Sequence, residues 1–298
     1  MPGKLHPGRR VVFALLVAVP LGCAPGQEPP AAAAAPKRRI SRQACQEHLD
    51  AMRARIPAGF DAVLEPPFVV IGDGGRRAVA TSATRTVRWA VDMLRQDFFE
   101  HDPDKVLEVW LFDGKDSYRK HTRQLFDEQP TTPYGFYSAR HGALIMDIAT
   151  GGGTLVHEIV HPFVEANVEH CPAWINEGLG SLFEQSEERD GRIAGLLNWR
   201  LDGLQGAIRD GTTIPIAELV ATTQAQFYGE GSGRNYAMAR YLLYWLQEHG
   251  KLHEFWRDWR RTQADDPTAA AALQRALGTE DLAAFQVQWE KWIAARRR

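Results

Sequence analysis

Residues 151–178 read GGGTLVHEIVHPFVEANVEHCPAWINEG, and this stretch decides both the fold and the candidate site. Residues 157–161 form the pattern HExxH. Two histidines four positions apart lie on one face of a helix, one turn apart, so both imidazoles can bind the same ion. Glu158 projects close by without being a ligand, where it can accept a proton from water at the metal. The stretch therefore predicts a metal site on a helix, with His157 and His161 as ligands.

The residues before this helix fit a site that binds a peptide. Residues 143–148 (ALIMDI) are predicted as a β-strand whose edge an extended peptide could join. Three glycines at 151–153 follow as a turn, and Thr154 is the expected N-cap of the helix. We therefore expect a strand, a turn and the metal-binding helix to follow one another directly.

A catalytic zinc ion needs a third protein ligand and one open position. The downstream candidates are the acidic and imidazole side chains Glu165, Glu169, His170, Glu177 and Glu184. Glu165 would share the helix of His161, but Pro162 disfavours continuation of that helix, and three ligands on one straight helix cannot surround an ion well. The extended metzincin pattern HExxHxxGxxH is excluded, because Val164 and Asn167 stand where it requires Gly and His.

Glu177 is the strongest candidate for the third ligand. It lies sixteen residues after His161, in the sequence PAWINEGL. Pro172 opens a second helix there, which can run antiparallel to the first helix and present Glu177 to the ion. The two motifs HEIVH and WINEG resemble those of the gluzincins, zinc peptidases whose third ligand is a glutamate on the next helix. The stretch most resembles the bacterial peptidase MA-like group and, more distantly, the WLxEG stretch of the HExxH aminopeptidases.

The resemblance implies a fold and a set of site residues. The fold would be an α+β, zincin-like (thermolysin-like) catalytic domain, with a small mixed β-sheet lobe followed by a mostly helical lobe. His157, His161 and Glu177 would bind one zinc ion. Glu158 would be the general base of peptide hydrolysis. Related peptidases use a Tyr or His on a later helix to stabilise the oxyanion, and Tyr236 is the predicted donor; a core aromatic role is the alternative.

The resemblance also bears on the kind of peptidase. In the aminopeptidases a GAMEN-like segment before HExxH holds the free amine of the substrate, whereas this chain has GALIMD at residues 142–147. The spacing of sixteen residues to Glu177 is also shorter than aminopeptidases usually have. An endopeptidase is therefore the default prediction.

Hydrophobic periodicity predicts helices and strands before the metal-binding stretch and mostly helices after it. The predicted helices cover residues 41–56, 79–99 and 117–126, and the predicted strands cover 68–71, 106–112, 135–137 and 143–148. From residue 154 onward the pattern is helical, with breaks near 190, 210, 230 and 265. This order predicts an α+β domain of two lobes, 41–150 and 151–298, with a cleft where they meet.

Residues 1–22 have the features of a secretory signal. A basic start precedes an apolar run at 11–21, which is too short to cross a bilayer core of about 30 Å. The run ends in LGC, which resembles a bacterial lipobox with Cys23 as the lipidated residue; ordinary cleavage nearby is the alternative. An Ala/Pro-rich linker follows at 23–40. We expect an exported protein of the bacterial cell envelope, with membrane contact through the lipid anchor.

Export would place the other two cysteines in an oxidising compartment. Cys45 lies on the apolar face of the helix predicted at 41–56, and Cys171 lies within the metal-binding stretch. A Cys45–Cys171 disulfide is predicted, and two buried free thiols are the alternative.

The overall composition narrows the choice of partner. The 298 residues include 35 Lys+Arg and 37 Asp+Glu, for a formal net charge of -2, which gives no electrostatic reason to expect nucleic acid. The expected partner is a peptide or protein substrate. Together these observations predict an exported zinc-dependent metallopeptidase. The alternative is a zinc-binding envelope lipoprotein that keeps the fold, cleaves nothing and acts as a binding module.

Overall fold

A five-stranded mixed β-sheet organises the first half of the fold. The computed structural model describes residues 37–130 and 132–298, and its sheet consists of β1 (Asp61–Glu65), β2 (Phe68–Gly72), β3 (Leu107–Phe112), β4 (Gly135–Ser138) and β5 (Ala143–Asp147). The strands lie side by side in the order β1-β2-β3-β5-β4. β2, β3 and β5 are parallel, whereas the two edge strands β1 and β4 are antiparallel to their neighbours. The four predicted strands are therefore confirmed.

Helices cover both faces of this sheet. One face carries α1 (Arg42–Met52) and α4 (Lys115–Phe126), and the other carries α2 (Arg76–Ser82), α3 (Trp89–Asp97) and α5 (Gly153–Asn167). Alternate residues of β2 point to opposite faces. Val69 and Ile71 pack with α1 and α4, whereas Phe68 and Val70 pack with α5 and its neighbours. Burial on both faces explains why the inner strands are almost wholly apolar.

The second half of the fold is mostly helical. Its elements are α6 (Ala173–Phe183), β6 (Ser186–Arg189), β7 (Arg192–Gly195), α7 (Arg200–Arg209), α8 (Ile216–Val220), α9 (Gln224–Phe227), α10 (Ser232–Glu248), α11 (Leu252–Thr262), α12 (Ala270–Leu277) and α13 (Leu282–Ala294). α10 packs closely on α6, where a Cβ atom at Gly178 would meet Leu243 Cδ1 at 2.9 Å. The predicted order, a mixed sheet followed by mostly helices, is confirmed at this coarse level.

Two β elements and one helix interruption were not predicted. β1 was missed, and β6 and β7 form an antiparallel hairpin where we expected only a break near residue 190. Asp190 and Gly191 both have positive φ angles, 53° and 73°, as the two-residue turn of a hairpin requires. The helix predicted at 79–99 is divided by a π-helical segment, Ala83–Arg88.

The helix that carries HExxH differs from the prediction in two ways. It runs without interruption through Pro162, because Ile159, Val160 and Phe163 around the proline are fully buried and hold the helix in place. Its N-cap is Gly152, so Thr154 is already inside the first turn. A Cβ atom at Gly153 would lie 2.1 Å from the carbonyl oxygen of Glu184, so the start of α5 packs directly on the end of α6.

The strand predicted to offer an edge to a peptide is not an edge strand. β5 is paired on both sides, with β3 and with β4. β4, its hairpin partner, occupies the edge of the sheet instead. An extended peptide would therefore have to join β4.

The predicted Cys45–Cys171 disulfide does not form, and both cysteines are free. Cys45 is fully buried with α1 and α4 on one face of the sheet. Cys171 packs against the core on the other face. The sheet separates the two thiols, which is the physical reason why they do not pair.

The N-terminal predictions concern residues outside the described part of the chain. The signal segment 1–22, Cys23 and the linker as far as residue 36 all lie there. Among the described residues, no helix combines the length and the apolar character needed to cross a membrane.

Candidate metal centre

Two neighbouring helices bring the candidate metal ligands together. His157 and His161 lie one turn apart on α5, and Glu177 lies in the middle of α6. Oε2 of Glu177 is 3.2 Å from Nε2 of His157 and 3.9 Å from Nε2 of His161. His157 and Glu177 are both buried, at 6 % and 5 % exposure. The three residues that the sequence predicted as ligands therefore converge at one point.

The donor set and its spacing fit a zinc ion. Two imidazoles and one carboxylate form a common ligand set of catalytic zinc. Bonds of about 2.0–2.2 Å in a tetrahedral arrangement put neighbouring ligand atoms roughly 3.3 Å apart. The separation of Glu177 from His157, 3.2 Å, matches this value, and its separation from His161, 3.9 Å, is longer. Ligand atoms of His157, Glu158 and His161 also lie within 4.8 Å of one another, so Glu158 is the second carboxylate at the site.

Glu158 is turned towards the sheet rather than towards Glu177. Its Oε2 accepts a hydrogen bond of 2.9 Å from the backbone N–H of Tyr137 in β4, and it lies 3.8 Å from Nε2 of His161. Burial raises the pKa of Glu158 above its usual value, and the positive charges of the two imidazoles only partly oppose this shift. A buried carboxylate with a raised pKa, beside but not between the imidazoles, suits a general base better than a ligand.

Each histidine has a polar partner on its other ring nitrogen. Nδ1 of His161 lies 3.0 Å from Oδ1 of Asn176 in a hydrogen bond, whereas Nδ1 of His157 lies 3.1 Å from Oε1 of Glu184 as an ion pair without hydrogen-bond geometry. An oxygen acceptor at Nδ1 keeps the proton on that nitrogen and leaves Nε2 free to bind a metal. Arg200 in turn holds Glu184 through two contacts, of 2.7 and 3.1 Å. Glu184, one of the alternative ligands, therefore lies behind His157 as its ion-pair partner.

The charges of this group depend on one another. Burial alone would lower the pKa of His157, but its bonds to Glu177 and Glu184 raise that pKa to about 10. Burial would raise the pKa values of both glutamates, yet the contact with His157 brings each down to about 2. In the metal-free protein His157 is therefore a buried imidazolium between two carboxylates.

Tyr228 also contacts the ligand set and was not predicted. Its hydroxyl donates a hydrogen bond of 2.6 Å to Oε1 of Glu177, across 51 positions of sequence. No motif pointed to this residue, because only the fold brings the end of α9 next to α6.

The remaining ligand candidates do not contact the histidines. The side chains of Glu169 and His170 are 89 % and 86 % exposed, and Glu165 instead accepts a hydrogen bond from the Tyr137 hydroxyl.

A cavity of about 810 Å³ opens onto this centre. We call it the main cavity; its lining includes His157, Glu158, Glu184, Arg200 and Tyr236. Tyr236 thus shares a cavity with the predicted base, as its predicted role requires, although it is also packed against core residues. Two unusually exposed aromatic residues, Tyr134 at 52 % and Trp199 at 60 %, line the same cavity.

A second cavity, of about 570 Å³, is lined by neighbours of the centre but by none of the three predicted ligands. Its lining includes Asn176, which contacts His161, and Glu165, which contacts Tyr137. Both cavities are therefore lined by residues that contact the predicted ligands.

No protein-family model matches the chain, and no curated protein matches it. The geometry of α5, α6 and the main cavity is therefore the basis for assigning a function.

Proposed function

We propose that this chain is a zinc-dependent metallopeptidase of the gluzincin type, similar to the peptidase MA-like group and built on a zincin-like fold. One observation carries the proposal. Two histidines of α5 and Glu177 of α6 converge within 3.2 and 3.9 Å, while Glu158 lies 3.8 Å from His161 and lines the main cavity together with His157. A general base is needed for hydrolysis and not for metal binding alone, so its presence favours an enzyme.

The chain's own residues provide the remaining chemistry. A zinc ion held by His157, His161 and Glu177 would lower the pKa of water towards about 7 and polarise a peptide carbonyl. Glu158, whose pKa is raised by burial, would accept a proton and pass it to the leaving amine. Tyr236 lines the cavity with Glu158, and its hydroxyl would donate to the developing oxyanion, an interaction worth about 3–4 kcal/mol.

The surroundings suit a peptide that continues on both sides of the cleaved bond. Among the described strands β4 pairs with β5 alone. Gly135 at its start and the preceding Tyr134 line the main cavity, and the backbone N–H of Tyr137 donates to Glu158. An extended chain could add to this edge through main-chain hydrogen bonds. The exposed rings of Tyr134 and Trp199 offer apolar contacts to substrate side chains. The open volume of the main cavity beside Glu158 supports an endopeptidase.

The proposed cellular location rests on the sequence alone. The basic and apolar character of residues 1–22 and the lipobox-like end at Cys23 support export to the bacterial cell envelope. We include this location in the proposal, with a lipid anchor at Cys23 as the membrane contact.

A peptide library tests the proposal directly. The zinc-loaded protein should cleave a mixed library, and Glu158→Gln should reduce the rate by about 10²–10⁴-fold while its zinc content stays the same. Glu188→Gln, which neutralises an exposed carboxylate on β6, is the matched control and should keep full activity. Equal rates for wild type and Glu158→Gln would refute the mechanism. Zinc retention without any cleavage would favour the binding module, and less than about half an equivalent of zinc would refute the metal site.

A further inference from the structure

The two oxygens of the Glu177 carboxylate have different partners. Oε2 faces the imidazoles, 3.2 Å from Nε2 of His157 and 3.9 Å from Nε2 of His161. Oε1 accepts the hydrogen bond of 2.6 Å from the hydroxyl of Tyr228. Oε2 is therefore directed at the two histidines, whereas Oε1 is bound to Tyr228.

The fold keeps Tyr228 at this position although its ring is 45 % exposed. It follows α9, a short helix whose N-terminus is closed by a capping box between Thr223 and Gln226. The preceding residue, Phe227, is fully buried, and its carbonyl accepts a hydrogen bond of 3.0 Å from the side chain of Asn235 on α10. These contacts fix the backbone from which the tyrosine reaches Glu177.

The number of oxygens that Glu177 offers matters for a catalytic metal site. Such a site has three protein ligands and keeps one position open for water or substrate. A carboxylate that used both oxygens would occupy an extra position. A hydrogen bond from a phenol to one oxygen makes that oxygen a poorer metal ligand and fixes the plane of the carboxylate.

We propose that Tyr228 is a positioning residue that holds Glu177 as a one-oxygen ligand and so keeps a coordination position open. The inference rests on the metal site of the proposed function, but it does not require that the protein cleave peptides. Tyr236 has a different proposed role: it lines the main cavity and is assigned to the substrate oxyanion.

Tyr228→Phe tests the proposal, because it removes the hydroxyl and keeps the ring that packs beside Phe227. Zinc affinity, measured by competition with a chelator, should fall about 10–100-fold. In the cobalt-substituted protein the visible absorption should weaken, since it decreases as the coordination number of cobalt rises above four. The matched control is Tyr244→Phe on α10, whose ring packs on Tyr241 and Trp292; its affinity should stay within about twofold of wild type.

A double-variant cycle shows whether Tyr228 acts through Glu177. In a Glu177→Ala background the further change Tyr228→Phe should have no effect on zinc affinity, because its partner is already gone. Thermal unfolding of each metal-free variant checks that the fold is intact. Wild-type zinc affinity and cobalt spectrum in Tyr228→Phe would overturn the inference, and so would an equal loss of affinity with and without Glu177. The cobalt spectrum reports on the metal site whether or not the protein cleaves peptides. Its result can therefore be interpreted separately from that of the library experiment.

Discussion

Nδ1 of His157 lies 3.1 Å from Oε1 of Glu184, on the opposite side of the imidazole from Glu177. Glu184 directly follows the last residue of α6, and Arg200 at the start of α7 holds its carboxylate through two contacts. A buried histidine on α5 is therefore paired with a carboxylate that residues at the ends of two other helices hold in place. A metal-binding histidine needs this arrangement, in which a carboxylate lies beside Nδ1 and Nε2 faces the other ligands.

Removal of the Glu184 side chain should weaken metal binding without touching a ligand. In Glu184→Ala we expect the dissociation constant for zinc to rise about 10–100-fold, because His157 loses the carboxylate that lies 3.1 Å from its Nδ1 on the side away from Glu177. Competition with a chromophoric chelator measures the change. Glu187→Ala, at the second residue of β6, removes a half-exposed carboxylate that pairs with Arg189 and is the matched control. A loss of affinity of similar size in both variants would contradict the assigned role.

Metal binding should release a proton from the buried ring. In the metal-free protein the pKa of His157 is raised to about 10, so the ring is protonated at pH 7 and must lose its proton before Nε2 can bind an ion. Zinc affinity should therefore rise with pH, at most about tenfold per unit below that pKa. Calorimetry at pH 7 in buffers of different ionisation enthalpy should give a release of about one proton. Binding enthalpies that do not depend on the buffer would contradict this expectation.

The same pKa predicts how the metal-free protein responds to alkaline pH. A raised pKa in the folded state means that His157 contributes stability below its unfolded value of about 6.5, and that this contribution is lost as the pH rises through about 10. Urea unfolding at pH 7 and pH 10 should show a lower free energy of unfolding at pH 10. His157→Gln, which has no ring to titrate, is the control and should lose less stability over this range. Identical losses in the two proteins would assign the pH dependence to other groups.

The ligand residues could be predicted because their information is local. The spacing of His157 and His161 follows from one turn of helix, and Pro172 indicates where the helix that carries Glu177 begins. The residues that support them come from distant positions: Arg200 and Tyr228 lie 16 and 51 residues from the glutamates they contact. No periodicity encodes such contacts, because they depend on how α7 and α9 pack against α6.

The mistakes in the fold have a similar origin. Pro162 disfavours a helix locally, but burial of α5 against the sheet outweighs the loss of one backbone hydrogen bond. β5 was predicted as an edge strand because the sequence alone does not show that β4, which precedes it, occupies the edge of the sheet. Both outcomes were decided by tertiary packing rather than by residue preference.

Tyr236 should matter for catalysis and not for metal binding. Tyr236→Phe removes the only part of the side chain that could donate to an oxyanion, so we expect kcat to fall about 10²–10³-fold. Zinc affinity should fall less than in Tyr228→Phe, because it is the hydroxyl of Tyr228 that donates the hydrogen bond of 2.6 Å to Oε1 of Glu177. Steady-state kinetics on a cleaved library peptide, with Tyr244→Phe as the control, measure the effect. An unchanged kcat would leave Tyr236 in the alternative role of a core aromatic residue.

Two glycines in helices should respond to alanine in opposite directions. A Cβ atom at Gly153 would lie 2.1 Å from the carbonyl oxygen of Glu184, so Gly153→Ala must push the start of α5 away from the end of α6. We expect a loss of about 1–3 kcal/mol in the free energy of unfolding. Zinc affinity should fall as well, because Glu184 would move relative to His157.

Gly203 in α7 is the matched control for this change. A Cβ atom there meets nothing within 4 Å, and alanine restricts the unfolded chain and favours helix more than glycine does. Gly203→Ala should therefore raise the free energy of unfolding by about 0.5–1 kcal/mol and leave zinc affinity unchanged. Urea unfolding of both metal-free variants decides the matter. If Gly153→Ala were as stable as wild type, the close contact between α5 and α6 could not be what keeps Glu184 beside His157.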